Sequence, residues 1–283
     1  MANHWAERSA ERTAAWAKTT VQGVSEDDSF NQMIIAETGI TPGEPVLDIA
    51  GGSGNPAVSI ALSMAGESIT GESMAGDGKI VCTDLTPEML ETARGRADTL
   101  DIKIMQFAAA DMISLPFPDA SFDCVTCRFG IMFPEDKVVA AREALRVLKP
   151  GGRIAYVVWG PYDENPAFFV PRRAVAAFFE EEEGAIPDRH SMSAAGTLKD
   201  ILDQAGFART KERDLRYKNA VPDSDQYVTN GLKRSFAKKI EGLETDAFDR
   251  LKQTLLDAWG PYVEDGQLRV PNFARMGLGW KPD

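Results

Sequence analysis

The chain has 283 residues, 43% hydrophobic and 26% charged, a composition ordinary for a packed protein with one large α/β domain and a small addition. Its formal net charge of −12, with no local cluster of Lys and Arg, opposes phosphate backbones and argues against sequence-independent nucleic-acid binding. The first twelve residues hold no apolar core and no stretch reaches the ~18 apolar residues of a membrane helix, which predicts a cytoplasmic protein with no membrane span.

In chain order, residues 3–38 have helical periodicity, with Trp5, Trp16, Val21, Phe30, Met33 and Ile34 as expected buried positions. Gly39 to Pro45 breaks that pattern. Short apolar runs follow at 46–50, 79–83, 103–108, 122–127 and 153–159. Helical patterns at 56–65, 87–100 and 135–148 separate them. Strand and helix alternating at this spacing predict βαβ units and a parallel sheet covered on both faces. Residues 66–78 are expected to form an enlarged loop. Residues 161–189 begin as a loop and continue as a helix with an acidic end, where a lid or acceptor-binding insertion is expected. A helix over 193–205 ends at Gly206. Runs at 207–217 and 268–280 are expected as closing antiparallel strands, with helices over 224–242 and 246–259 between them. The expected organisation is a helical cap at 1–40 and one domain at 41–283, with 161–189 as the insertion.

Cys82, Cys124 and Cys127 are too few for a disulfide framework. Cys124-Val-Thr-Cys127 matches C-x-x-C but lies in a strand pattern, and His4 and His190 are remote from it, so no metal site is expected.

The strongest chemical signal is Val46-Leu-Asp48-Ile-Ala50-Gly51-Gly52-Ser53-Gly54, an apolar strand running into glycines before a helix. Such glycines let the backbone turn sharply and let a ligand approach it closely. Gly52 to Ala57 also fits the G-x-G-x-x-A pattern of a dinucleotide site. Against that reading, Pro56 removes one N–H from the helix start that would hold a pyrophosphate. Asp48, just before the glycines, would suit a ligand with a cationic amino group. The next strand ends at Asp84, placed to accept hydrogen bonds from ribose hydroxyls, with Thr86 expected as N-cap and Pro87 at the first helical position. Ala109-Ala-Asp111-Met112 follows the third strand. Leu115 to Asp123 leads into the fourth, and Leu148-Lys-Pro-Gly-Gly-Arg-Ile154 turns into the fifth; Asp123 and that double glycine are expected to be architectural.

Taken in this order, the segments over about 41–160 resemble class I S-adenosylmethionine-dependent methyltransferases, and within them the UbiE-like (methyltransferase type 11) small-molecule branch. Ala50 stands where the family pattern D-x-G-x-G-x-G has its first glycine. The resemblance implies a Rossmann-like fold with a seven-stranded, mostly parallel sheet. It implies S-adenosyl-L-methionine as cofactor, held by Asp48, Ala50, Gly51, Gly52, Gly54, Asp84, Leu85, Asp111, Met112 and Cys127, with Asp111 reading the adenine amino group.

Ligands of such sheets bind outside the carboxyl ends of the strands, so the acceptor side falls to the loops after strands four and five. Arg128 and Tyr162 are the expected polar contacts there, with His4 as a further candidate. Phe129, Met132, Phe133 and Trp159 are expected as walls, Phe133 and Trp159 being equally compatible with the core. No general base is evident. The function expected is methyl transfer to a small-molecule acceptor by in-line displacement. Two alternatives stay open: methyl transfer on the same fold with another pair such as a methyl halide and tetrahydrofolate, and a non-catalytic nucleotide-binding or NAD-dependent protein.

Overall fold

The computed structural model describes residues 28–65 and 79–283. The expectations for Trp5, Trp16, Val21, His4 and the 66–78 loop lie outside the described residues. What is described of the amino-terminal region is helix α1 (Ser29–Thr38), capped by Asp28, whose carboxylate accepts from the Phe30 and Asn31 amides, and closed by Gly39 in a left-handed conformation.

The chain then alternates as its periodicity requires: β1 (Val46–Asp48), α2 (Ala57–Ala65), β2 (Ile80–Asp84), α3 (Pro87–Thr99), β3 (Met105–Ala109), β4 (Phe122–Arg128), α4 (Lys137–Val147) and β5 (Leu148–Trp159). β1 pairs in parallel with β2 and β4, β2 with β3, and β4 with β5. The order 3-2-1-4-5 reverses direction at β1, which places the loop after β1 at the switch point of the sheet. β1, β2, β4 and the second half of β5 are buried on both faces, so they carry continuous apolar runs instead of alternation, whereas β3 at the sheet edge is only partly covered. Val46, Ile80, Met105 and Cys124 join Val58, Ile60 and Met64 of α2 and Leu90, Ala93 and Ala97 of α3 in one core. The β4–β5 register shifts between Phe122 and Cys124, opposite the Leu148–Arg153 stretch that contains the double glycine.

Beyond β5 come α5 (Pro166–Phe178), α6 (Thr197–Ala205), β6 (Ala208–Val221), α7 (Ser224–Ser235), α8 (Ala237–Ile240), α9 (Thr245–Ala258), β7 (Val263–Glu264) and β8 (Gln267–Trp280). Among the described residues the sheet has eight strands, β8 following β5 and β6 following β8, with β7 antiparallel to β8. The helix expected over 224–242 is broken at Phe236, and that over 193–205 starts at Thr197.

The chain forms two compact units. One holds the described residues up to Val158, with Ala194–Asp214 and Arg275–Asp283; the other holds Trp159–Ser193 and Leu215–Ala274. The second unit is therefore larger than the expected 161–189 insertion. Its core explains the difference: Val170, Ala174 and Val175 of α5 are buried against Val228 and Leu232 of α7, Leu251 and Leu255 of α9, Trp259, and Leu268 and Val270 of β8. α5 alone would leave that apolar face in water. Among the described residues, no helix is long and apolar enough to cross a membrane.

Candidate active site

The site begins with the loop after β1. Ala50, Gly52 and Gly54 all have positive φ (54°, 55° and 97°), so the chain coils through left-handed backbone that glycine adopts freely and alanine does not. Ala50 thus takes up the conformation for which the family pattern keeps a glycine.

The three glycines serve different ends. A Cβ on Gly51 would lie 2.5 Å from Asp48 Oδ2 and 2.6 Å from Cys82 Sγ. On Gly54 it would meet Val58 Cγ2 at 2.9 Å, so that glycine permits close helix packing. On Gly52 its nearest neighbour is the flexible end of Met89, 3.2 Å away.

Asp48 differs from expectation. Its side chain is 0% exposed. Oδ1 accepts from the Thr126 hydroxyl (2.7 Å) and Oδ2 from the Ala57 amide (3.3 Å). It caps α2 from below and ties β1 to β4, and it presents no oxygen to a ligand's amino group. Burial pushes its pKa from 3.8 up to about 7, against the opposing hydrogen bonds of Thr126 and Ala57.

The amino end of α2 has few free donors. Pro56 has no N–H, the Ala57 amide goes to Asp48, and the Asn55 and Val58 amides go to Gly51 O and Gly54 O. The cradle of amides that a dinucleotide pyrophosphate needs is thus spent within the protein.

Asp84, at the end of β2, faces this loop. Oδ2 accepts from the Gly52 amide (3.0 Å) and Oδ1 from the Thr86 amide (2.9 Å), while burial raises its pKa. Thr86 occupies the N-cap position of α3, but its hydroxyl makes no capping bond; Asp84 binds the Thr86 amide itself. The acid is therefore an organiser of two loops as well as the expected polar group at the strand tip.

The loops after β3 and β4 meet the first loop around Gly130. A Cβ there would lie 2.5 Å from Ala50 Cβ, 2.8 Å from Cys127 Sγ and 3.5 Å from Met112 Cε, so three of the expected residues converge on one point. The Cys127 thiol itself is fully buried, and burial raises its pKa. Cys124 is buried on the same strand with its pKa pushed up to about 12. The three cysteines are free thiols, and among the described residues no three side chains form a metal-binding group. Asp111 folds onto its own loop, accepting from the Ile113 amide (3.1 Å), and the Ala110 amide bonds Asp84 O (3.0 Å). Leu85, Ile113 and Phe133, from the loops after β2, β3 and β4, are large apolar side chains left 36–44% exposed. Met132 is buried, and Phe129 has φ 61°.

Arg128 also departs from expectation. Its guanidinium pairs with Asp28 at 2.8 Å, largely buried, and lies over the Phe30 and Phe129 rings. It holds α1 onto the end of β4, while its Nε is a buried donor that no described group accepts. Asp28, which sequence reading missed, is both cap and counter-ion; its partner is 100 residues away.

Tyr162 lies in the second unit. It is buried, its hydroxyl donates to Glu183, and its ring meets His190 edge-on at 5.2 Å. It lines a cavity of about 500 Å³ together with Arg173, Glu183 and His190, three residues the sequence did not single out.

The ubiE/COQ5 methyltransferase family model matches residues 20–167. An uncharacterised protein of Mycobacterium tuberculosis is 37% identical over 127 residues, 45% of this chain, which spans only 41% of that protein's length. The ubiquinone/menaquinone biosynthesis C-methyltransferase UbiE of Saccharophagus degradans is 32% identical over 66% of this chain and 76% of its own. Among solved structures, a phosphoethanolamine N-methyltransferase of Haemonchus contortus bound to S-adenosylhomocysteine superposes with a TM-score of 0.57 at 18% identity, covering 99% of this chain and 59% of that one. With its glycine loop at the switch point, its acid at the end of β2 and a family model matched across both, the chain belongs to the ubiE/COQ5 family of S-adenosylmethionine-dependent methyltransferases.

Proposed function

We propose that the protein transfers a methyl group from S-adenosylmethionine to a small-molecule acceptor. The observation that carries this reading is Asp84, held between the Gly52 and Thr86 amides at the end of β2, beside a helix start whose amides are already spent. That arrangement suits a nucleoside with two ribose hydroxyls and disfavours a pyrophosphate, and so favours S-adenosylmethionine over NAD. In this proposal Asp84 takes the ribose, and Asp111 with Met112 takes the adenine against the apolar side chains of Leu85 and Ile113. The Ala50–Gly52 backbone lies along the methionine part.

Transfer from a sulfonium to a nucleophile is an in-line displacement that depends on alignment and on excluding water more than on side-chain chemistry. Acceptor contacts are assigned to the loop after β4, at the carboxyl end of the sheet, where the Phe133 side chain is left exposed. The net charge of −12 favours a small acceptor over a polyanion.

Calorimetric titration with S-adenosylhomocysteine, NAD and tetrahydrofolate tests the reading. S-adenosylhomocysteine alone should bind, and Asp84→Ala should weaken it by ~3 kcal/mol through loss of two hydroxyl contacts to a charged acceptor. Binding of NAD or tetrahydrofolate in its place would overturn the proposal.

A further inference from the structure

The loop after β1 enters left-handed backbone at Ala50, Gly52 and Gly54. Glycine leaves that conformation as readily as it adopts it. A ligand laid along a loop that wanders must order it on binding, and its affinity falls accordingly. The bonds that fix the loop before any ligand arrives therefore bear on affinity.

Some of these bonds lie within the loop and β2: the Gly51 amide donates to Thr83 O (2.8 Å), and the Gly54 and Asn55 amides donate to Gly51 O (2.8 and 3.0 Å). Others come from the two ends of α3. At its start, Asp84 accepts from the Gly52 and Thr86 amides together. In its last turn, Arg96 Nη1 donates to Ser53 O at 2.7 Å and lies 3.5 Å from Asn55 Oδ1. Ala93, three residues earlier on the same face of α3, lies under Gly54, where a Cβ would be 3.4 Å from Ala93 Cβ. Consecutive residues of the loop are thus held by opposite charges, Gly52 at its N–H by an acid and Ser53 at its carbonyl by a guanidinium. A bond from a guanidinium is charge-assisted. Ser53 is 5% exposed, so little water is at hand to take the place of Arg96.

We propose that Arg96 is a positioning residue for the cofactor: by holding Ser53 O it keeps the glycine loop in the form that receives the ligand, and it acts through the loop. The inference rests on the reading that S-adenosylmethionine lies along this loop.

Calorimetric titration of the full chain with S-adenosylhomocysteine tests it. Arg96→Met should bind about tenfold or more weakly than the parent. Arg96→Lys, which keeps a cationic donor, should return to within about threefold of the parent. In nitrogen-15 amide spectra without ligand, Arg96→Met should shift or broaden Gly51, Gly52, Ser53 and Gly54 and leave Val81 and Val125 of the neighbouring strands in place. Saturating S-adenosylhomocysteine should restore the loop signals. A general loss of stability would instead move the strand signals as well. Should Arg96→Met not fold, Arg96→Gln carries the same expectations. Parental affinity in the methionine or glutamine variant, no recovery with lysine, or unmoved loop signals would overturn the inference and leave methyl transfer standing. A parent that does not bind S-adenosylhomocysteine would overturn both.

Discussion

Asp48 offers the sharpest test of how this fold is held together. Its carboxyl has an ordinary pKa of 3.8 and one of about 7 in the folded protein, because burial penalises the charge more than Thr126 and Ala57 relieve it. Folding therefore prefers the protonated form. Below pH 3.8 the group is neutral in both states and adds no penalty. Between 3.8 and 7 the unfolded chain ionises while the folded protein does not, and stability falls by about 1.36 kcal/mol per pH unit from this group. Above 7 the full penalty, on the order of 4 kcal/mol, stays constant. Asp48→Asn removes the charge and keeps the shape: its carbonyl can accept from Ala57 and its amide can donate to the Thr126 hydroxyl oxygen. Urea unfolding followed by circular dichroism, in the absence of ligand, should give a variant-minus-parent stability that rises by about 2.3 kcal/mol between pH 5 and 7 and levels off above about pH 8. A difference that does not change with pH would mean that Asp48 is not the buried acid described here.

Gly52→Val forces a β-branched residue into left-handed backbone beside the Met89 tip and should weaken S-adenosylhomocysteine at least tenfold by calorimetry; undiminished affinity would place the ligand elsewhere. Gly130→Ala should lose about 1–3 kcal/mol in urea unfolding, because its methyl meets Ala50 Cβ and Cys127 Sγ. Ala50→Gly in the same chain should recover part of that loss, and no recovery would refute the convergence of the two loops. Arg128→Gln should lower stability by about 1–3 kcal/mol by leaving the Asp28 carboxylate without its cation, with S-adenosylhomocysteine affinity unchanged; the reverse pattern would restore Arg128 to a ligand role.

Much of the first unit was legible because its signals are local. The apolar run into glycines, Pro87 opening α3 and Gly206 closing α6 each act within a few residues of themselves. What sequence reading missed depends on partners far along the chain. Asp48 looks like a ligand acid until Thr126 is found against it, 78 residues away. Thr86 looks like a cap because its type and position fit, and only the fold reveals that Asp84 holds the Thr86 amide. Arg128 looks available because Asp28 lies beyond the reach of local pattern. The second unit was underestimated for the same reason: the apolar face of α5 is visible in the sequence, but the residues that cover it come 50 to 100 positions later.

The division of the chain between its units constrains the order in which the protein can be built. The polypeptide passes from one unit to the other after Val158, Ser193, Asp214 and Ala274. During synthesis β1 to β5 emerge early, yet the first unit lacks its share of β8 until Arg275–Asp283 has been made. Strand β5 must wait, with its edge open, through the production of more than a hundred intervening residues. The second unit matures inside that interval, so its folding stands between the first unit's beginning and its completion. A cell making this protein is therefore expected to meet a long-lived, edge-exposed intermediate, and slow translation through 215–274 should prolong it.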